Sequence, residues 1–203
     1  MKKKFLNNSM KVIKKYYPEY DEEELEKIEY GLEAIYLTLT KVIIVYSLAY
    51  FFGILLETFL VSLTYNLIRL TAFGMHASKS IYCLIISLIT FIGGALLVIY
   101  LNIPLSIKVI LSIISVYLIY KYAPADTEKR PIISPKRRNI YKTISTITGI
   151  IFTILIIVFN KHILSNYLLI GMIEAVITLL PITYKIFKLP YDNYKNYNFG
   201  LSN

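Results

Sequence analysis

Three residues in the middle of the chain have the types that nucleophilic peptide chemistry needs. Cys83 is the only cysteine among 203 residues, and His76, one of two histidines, precedes it by seven positions. Arg69 lies seven positions before that histidine. A thiolate can attack a carbonyl carbon, a histidine can take and return the proton, and a nearby cation favours the thiolate form. The stretch RLTAFGMHASKSIYC therefore has the residue types of a cysteine–histidine active site.

The spacing sets a condition on that site. Seven residues turn an α-helix through about 700° but lift it by about 10 Å, so one straight helix would hold His76 and Cys83 too far apart. The helix must break between them, and Gly74 permits the unusual backbone that a break needs. Ser78 or Ser80 can cap a new helix, which would place Cys83 near a positive helix end. Lys79 and Arg69 add positive charge there.

Other interpretations of these residues stay open at this point. A free cysteine is often only a small packed side chain, and a histidine can lie near one by chance. The second histidine, His162, is predicted to be an ordinary loop residue. One cysteine and one nearby histidine leave two ligands of a metal site unnamed, so we predict neither a metal nor another cofactor.

Composition predicts an all-α, polytopic helical membrane protein. The chain is 56% hydrophobic with a mean hydropathy of +0.58, which is too apolar for an ordinary soluble domain. The apolar segments are long enough for helices that cross about 30 Å of hydrocarbon, and they do not alternate as barrel strands do. The predicted segments are 35–56, 57–75, 81–101, 105–121, 143–160 and 164–184. The second segment carries Asn66 and Arg69, so it is either a full span or a re-entrant helix buried by protein.

Basic residues are distributed as in a multi-pass protein with both termini in the cytoplasm. Lysine and arginine concentrate in residues 1–34, in the loop 121–142 and in the tail 185–203. The positive-inside rule places these three regions on the cytoplasmic side. The net charge of +9 is therefore ascribed to topology and to contact with anionic membrane lipid, and not to nucleic acid.

The first 34 residues are predicted to form an amphipathic, interfacial region ahead of a single membrane domain. Lysines alternate there with apolar residues, which favours a helix lying on the cytoplasmic leaflet. Asp21 followed by three glutamates predicts the start of a second helix. The bundle then occupies 35–184 within one domain, 1–203.

Two motifs resemble those of the AgrB family, the membrane peptidases of Gram-positive quorum sensing. The first is RLTAFGMHASKSIYC, and the second is YAPADTEKRPI at 122–132, in a predicted cytoplasmic loop. Their order and spacing, the chain length and the hydropathy agree with the family across essentially the whole chain. One departure is visible, because the family often has two glycines where this chain has only Gly74 before Met75 and His76.

The resemblance implies a cysteine endopeptidase with a Cys83–His76 dyad in the bacterial plasma membrane. Cys83 would attack the carbonyl at the cleavage point of an AgrD-like propeptide, with His76 as general base and then general acid. A cysteine or serine of the peptide would next attack the thioester and close a thiolactone or lactone ring. The site would have to exclude water, because hydrolysis would waste the thioester, and the amphipathic N-terminus could cover the site for this purpose. The family also implies a homodimer.

The propeptides of this family have an acidic tail, and the resemblance implies that basic residues near the second motif bind it. With Lys79, the residues suited to receive it are Lys129, Arg130, Lys136, Arg137 and Arg138. They could equally serve only to set topology. Asp126 is either a third catalytic member that orients His76 or, with Thr127, the cap of a turn.

A rival interpretation is a non-enzymatic transporter or scaffold. It would use Arg69, Glu57 and Glu174 as a polar pathway inside the membrane, because ionisable groups at that depth are usually functional. Replacing Cys83 would then have little effect. An intramembrane protease of the glutamate type is set aside, because DEEELEK lies in a charged surface segment.

Overall fold

The computed structural model describes residues 2–75, 80–128 and 131–196, without the side chains of Ser80 and Asn196. Over these ranges the chain forms eight α-helices and one short 3-10 helix, which confirms the all-α prediction. The α-helices are α1 (Lys2–Tyr16), α2 (Glu22–Phe51), α3 (Leu55–Ala72), α4 (Ser80–Tyr100), α5 (Leu105–Tyr122), α6 (Pro135–Val158), α7 (Leu164–Ile177) and α8 (Pro181–Ile186), and the 3-10 helix is Asn193–Asn196.

The chain divides into two compact units, 1–48 and 49–203, which are described separately. In the first unit Lys2 on α1 forms an ion pair with Glu33 on α2 at 2.6 Å. The predicted start of the second helix is confirmed, since Asp21 Oδ1 accepts from the Glu24 N–H at 2.7 Å. Glu24 Oε2 accepts from the Asp21 N–H in return, which completes a capping box. The predicted amphipathic helix is present as α1, and its place on a membrane surface stays a prediction.

Four helices are long and apolar enough to cross a membrane, counted over the described ranges. They are α2, residues Ile81–Tyr100 of α4, α5 and α6. Two more helices complete the predicted six segments: α3, whose 18 residues span about 27 Å, and α7, whose 14 residues span about 21 Å. The polytopic membrane fold is therefore confirmed, with α7 shorter than a full hydrocarbon crossing.

The interior of the second unit is built around α3 and α7. These two helices pack against each other, and α4, α5 and α6 pack around them. Ten of the fourteen residues of α7 are buried, which marks it as an internal helix. A Cβ on Gly171 would lie 2.6 Å from the carbonyl oxygen of Val61, so the close approach of α3 and α7 depends on glycine there. Small residues at such contacts let membrane helices pack closely.

One predicted segment divides into two helices. The window 164–184 was predicted as a single segment, but α7 ends at Ile177 and α8 begins at Pro181. Proline lacks an N–H and fits the first turn of a helix, so Pro181 starts α8 and cannot continue α7. The interruption leaves the backbone of Thr178 and Leu179 buried at the end of the bundle that also holds the loop after α5.

Candidate active site

The chain that leads to His76 is held on two sides where α3 ends. The Gly74 N–H donates to the carbonyl oxygen of Ala125 at 2.8 Å, and the Ala125 N–H donates to the carbonyl oxygen of Ala72 at 2.9 Å. The Met75 N–H donates to the carbonyl oxygen of Thr178 at 3.0 Å. Segment 72–75 is thus fixed between the second-motif loop and the break that follows α7.

Gly74 is required at this junction for two independent reasons. Its φ of +117° lies in a region that residues with a Cβ rarely adopt. A Cβ built there would lie 2.6 Å from Thr178 Oγ1 and 3.1 Å from the Thr178 carbonyl oxygen. The sequence prediction that the helix breaks at Gly74 is confirmed, because α3 ends at Ala72 and α4 begins at Ser80.

Arg69 holds the same segment from the side of α3. Its Nη2 donates to the carbonyl oxygens of Gly74 and Met75, at 3.1 and 3.0 Å. Its Nη1 donates to the Tyr65 hydroxyl, and the guanidinium lies 5.3 Å from the centre of that ring. A planar guanidinium can bind several acceptors at once, so Arg69 shapes the backbone that leads to His76.

Asp126 in the second motif is the centre of a buried hydrogen-bond cluster. Its residue exposure is 3%, and its carboxylate accepts from four donors on the loop, the tail and α6. These donors are the backbone N–H groups of Ile132 (3.3 Å), Asn193 (3.1 Å) and Tyr194 (3.0 Å) and the Arg138 guanidinium (3.5 Å). The cluster accounts for the burial of Asp126, and its predicted role beside His76 stays a prediction.

Tyr184 on α8 joins this cluster to segment 72–75. Its hydroxyl donates to the carbonyl oxygen of Asp126 at 3.0 Å and lies 3.3 Å from that of Ala125. The Ala125 oxygen is the same acceptor that binds the Gly74 N–H. Burial raises the pKa of Tyr184, an effect that the Arg69 guanidinium partly opposes, so the hydroxyl is a protonated donor at neutral pH. Burial also raises the pKa of Tyr191, whose ring packs edge-on against Tyr184, to about 12.

Cys83 lies where the sequence predicts, in the first turn of α4. The thiol is free and its residue is half-buried. His76 and Lys79 lie outside the described residues, as does the side chain of Ser80. Cys83 thus lies near the start of the described part of α4. Ser78 also lies outside the described residues, so the capping of this helix by Ser78 or Ser80 and the contact between Cys83 and His76 stay predictions.

The predicted basic residues differ in their surroundings. Lys136 and Arg137 are exposed in the first turn of α6, where Ser134 Oγ accepts from the Arg137 N–H at 3.4 Å. Arg138 instead turns inward, to Asp126 and to the Tyr194 ring, whose centre lies 3.5 Å away. Lys129 and Arg130 lie outside the described residues. Of the described set, only Lys136 and Arg137 present unpaired positive charge.

The residues of the rival polar pathway do not form one connected set in the described ranges. Glu57 is half-buried in the first turn of α3, and Glu174 packs against Gly94 on α4. Glu174 Oε2 is buried without a hydrogen-bond partner, and none of the ion pairs found there joins a glutamate to Arg69. In the same ranges no group of three or more acidic, histidine or cysteine residues could hold a metal ion.

Comparison with known proteins places the chain in a family. Residues 6–179 match the family model described as Accessory gene regulator B. A putative AgrB-like protein of Clostridium acetobutylicum is 32% identical, over 84% of this chain and 82% of that protein. One of Listeria monocytogenes is 34% identical over 87% of both chains. The accessory gene regulator protein B of Staphylococcus aureus is 36% identical, over 77% and 82%.

The chain belongs to the accessory gene regulator B family. The match covers both sequence motifs and runs from α1 to Leu179. Membership supports a role in the accessory gene regulator quorum-sensing system, and the four long apolar helices support a place in a membrane. No solved structure matches the chain.

Sequence reasoning missed three residues of the site. Thr178 supplies the acceptor for Met75, and Tyr184 and Asn193 bind the second-motif loop. A hydropathy window hides Thr178, and Tyr184 and Asn193 belong to a tyrosine-rich end of the chain without a recognisable motif. Only the fold brings these positions to segment 72–75.

Proposed function

We propose that this chain is a membrane cysteine endopeptidase that cleaves the C-terminal tail from an AgrD-like propeptide. It forms a peptidyl thioester on Cys83 and promotes closure of a thiolactone or lactone ring. The observation that carries the proposal is the fixed backbone of segment 72–75, which ends directly before His76 in the chain, together with the place of Cys83 in the first turn of α4. Family membership supports the same assignment.

The proposed reaction has two acyl transfers. Cys83 Sγ attacks the carbonyl carbon at the cleavage point as His76 takes the thiol proton. The peptide C–N bond then breaks, and His76 returns the proton to the departing amine. A thiol or hydroxyl inside the bound peptide next attacks the thioester, which closes the ring and releases Cys83 as a thiol. A thioester suits this second step, because another thiol can take the acyl group with little change in free energy.

Charge supports binding of an acidic substrate at the same end of the bundle. Lys136 and Arg137 are exposed beside the second-motif loop, where they can attract the acidic tail. We further propose Lys79, Lys129 and Arg130 as contributors. Family resemblance is the ground for proposing a homodimer, and the positive-inside rule is the ground for placing both termini in the cytoplasm. Arg138 contributes less to substrate binding in this proposal, because Asp126 already pairs with it.

The proposal is tested by co-expressing the chain with the small propeptide reading frame that we expect beside its gene. Peptide products are identified by mass spectrometry for wild type, Cys83→Ala and His76→Ala, with comparable membrane levels of each protein. Release of the tail by wild type alone supports the cysteine mechanism. Equal release of the tail by all three proteins refutes it. If the peptide product is instead lost only in the further variants Arg69→Ala and Glu174→Gln, the transporter or scaffold interpretation is favoured.

A further inference from the structure

We infer that Tyr184 is a positioning residue of the active site, and that the C-terminal segment 187–196 locks the second-motif loop on which it acts. The inference rests on the proposed function and adds to it, since Tyr184 and that segment follow the residues matched to the family model. Neither touches the reacting atoms in this account. They act through the backbone of Ala125 and Gly74.

The Gly74 N–H and the Tyr184 hydroxyl share one acceptor on the second-motif loop. The carbonyl oxygen of Ala125 accepts from the Gly74 N–H at 2.8 Å and lies 3.3 Å from the Tyr184 hydroxyl. The single proton of the Tyr184 hydroxyl is shared between this oxygen and the Asp126 carbonyl oxygen, so the hydroxyl restrains the direction of both carbonyls and, through Ala125, of the Gly74 N–H. Gly74 is two residues before His76, so a turn of this carbonyl displaces the backbone that carries the proposed base.

The C-terminal segment attaches the second-motif loop through Asp126. Asp126 follows Ala125 directly, and its two carboxylate oxygens accept from the backbone N–H groups of Asn193 and Tyr194. Asn193 is 2% exposed, and its side-chain amide donates to the Pro190 carbonyl oxygen at 3.0 Å. A buried carboxylate with several hydrogen bonds resists displacement, because losing any donor leaves unpaired charge. The C-terminal segment therefore holds the loop in the position in which it can accept hydrogen bonds from Tyr184 and Gly74.

The neighbouring residues Tyr184 and Tyr191 differ in the contacts of their hydroxyl groups. Tyr184 and Tyr191 pack edge-on with ring centres 5.0 Å apart. The Tyr184 hydroxyl donates to the loop, whereas the Tyr191 hydroxyl forms no hydrogen bond with the described part of the chain. Replacing either tyrosine with phenylalanine removes one oxygen and keeps the ring. Tyr191→Phe is therefore a matched control for Tyr184→Phe.

The experiment uses the full chain in phosphatidylcholine–phosphatidylglycerol vesicles with a synthetic propeptide. Active protein is counted by labelling Cys83, and kcat and KM are measured for wild type, Tyr184→Phe and Tyr191→Phe. We expect Tyr184→Phe to lower kcat roughly tenfold or more at nearly unchanged KM, because small misplacement of a catalytic group is costly. Tyr191→Phe should stay within about twofold of wild type, because it removes no contact to the loop.

Two further measurements keep the result decisive. The rate of Cys83 alkylation by iodoacetamide is compared among wild type, His76→Ala and Tyr184→Phe, and should fall in both variants. A chain that ends after Leu189 provides a second test, since it lacks the Asn193 and Tyr194 donors but keeps Tyr184. It should lose kcat per labelled site as Tyr184→Phe does.

The outcomes separate this inference from the proposed function. If wild type cleaves the propeptide and Tyr184→Phe equals Tyr191→Phe in kcat and in alkylation, the inference is overturned and the function stands. If the variants lose only thermal stability, with kcat per labelled site unchanged, Tyr184 is merely structural and the inference is again overturned. If wild type releases no tail, the proposed function fails, and the alkylation rates alone decide whether Tyr184 positions the segment beside Cys83.

Discussion

At the scale of single residues, the site depends on side chains that shape backbone. Gly74 combines a φ of +117° with a Cβ position 2.6 Å from Thr178 Oγ1, so no other residue fits without a shift. Arg69 then binds the two carbonyl oxygens that follow. The sequence indicated both residues, because a helix break needs the backbone freedom of glycine and an ionisable side chain at membrane depth is usually functional. It could not indicate Thr178, whose role depends on a carbonyl freed by the end of α7.

Gly74→Ala tests the backbone requirement. We expect it to destabilise the protein by about 1–3 kcal/mol and to abolish propeptide cleavage, because both the positive φ and the contact with Thr178 are violated. Thermal unfolding in detergent and a cleavage assay measure the two effects. Gly93→Ala on α4 is the matched control, since nothing lies within 4 Å of its Cβ position. Equal behaviour of the two variants would contradict the account.

Arg69→Lys tests the role of the guanidinium. A lysine keeps the charge but is a point donor and cannot hold Tyr65 and both carbonyl oxygens in one plane. We expect cleavage to fall by roughly tenfold or more, which corresponds to one lost charged hydrogen bond. Arg137→Lys, on the exposed turn of α6, is the control and should be close to wild type. Full activity of Arg69→Lys would show that charge alone suffices.

At the scale of helices, hydropathy located the segments and the ends of α4 and α5, but it missed the start of α6 and the end of α7. The predicted windows 81–101 and 105–121 agree with α4 and α5 within one residue at each end. Window 143–160 missed the first two turns of α6, because their basic residues are helical without being apolar. Window 164–184 missed the break at Thr178, because the residues around Pro181 are as apolar as a continuous span. Caps and prolines decide such boundaries, and hydropathy does not record them.

The contact between α3 and α7 gives a prediction at this scale. A Cβ on Gly171 would meet Thr64 Cβ at 2.7 Å as well as the Val61 carbonyl oxygen, so Gly171→Ala must push the two helices apart. We expect a loss of about 1–3 kcal/mol in stability, as is common for overpacked interiors. The midpoint of thermal unfolding, compared with that of the control variant Gly93→Ala, measures this loss. Unchanged stability would mean that α3 and α7 pack less closely than described.

At the scale of the whole molecule, the distribution of positive charge is compatible with the acidic propeptide of the proposed function. The net charge of +9 was ascribed to topology and to anionic membrane lipid, and within it Lys136 and Arg137 are exposed beside the second motif. Arg138, one residue on, is instead used to pair Asp126. Sequence alone could not separate these neighbours, because the difference arises from the tail that folds back onto the loop.

Charge reversal of the exposed pair tests electrostatic substrate binding. Under the proposed function, Lys136→Glu with Arg137→Glu should raise KM for an acidic propeptide several-fold at similar kcat, and added salt should reduce the difference. Lys161→Glu, in the exposed connection between α6 and α7, is the control of equal charge type. The same KM for the double variant and wild type would remove these residues from the binding surface.

The peptidyl thioester on Cys83 is tested most directly by an intact-mass measurement on the chain itself. Membranes that contain wild type and its propeptide are quenched in acid, and the mass of the chain is recorded before and after hydroxylamine. We expect an added mass equal to the tail-less peptide acyl group, located on Cys83 and removed by hydroxylamine as a thioester should be. Cleaved peptide without any such adduct, or an adduct that persists in Cys83→Ala, would contradict it.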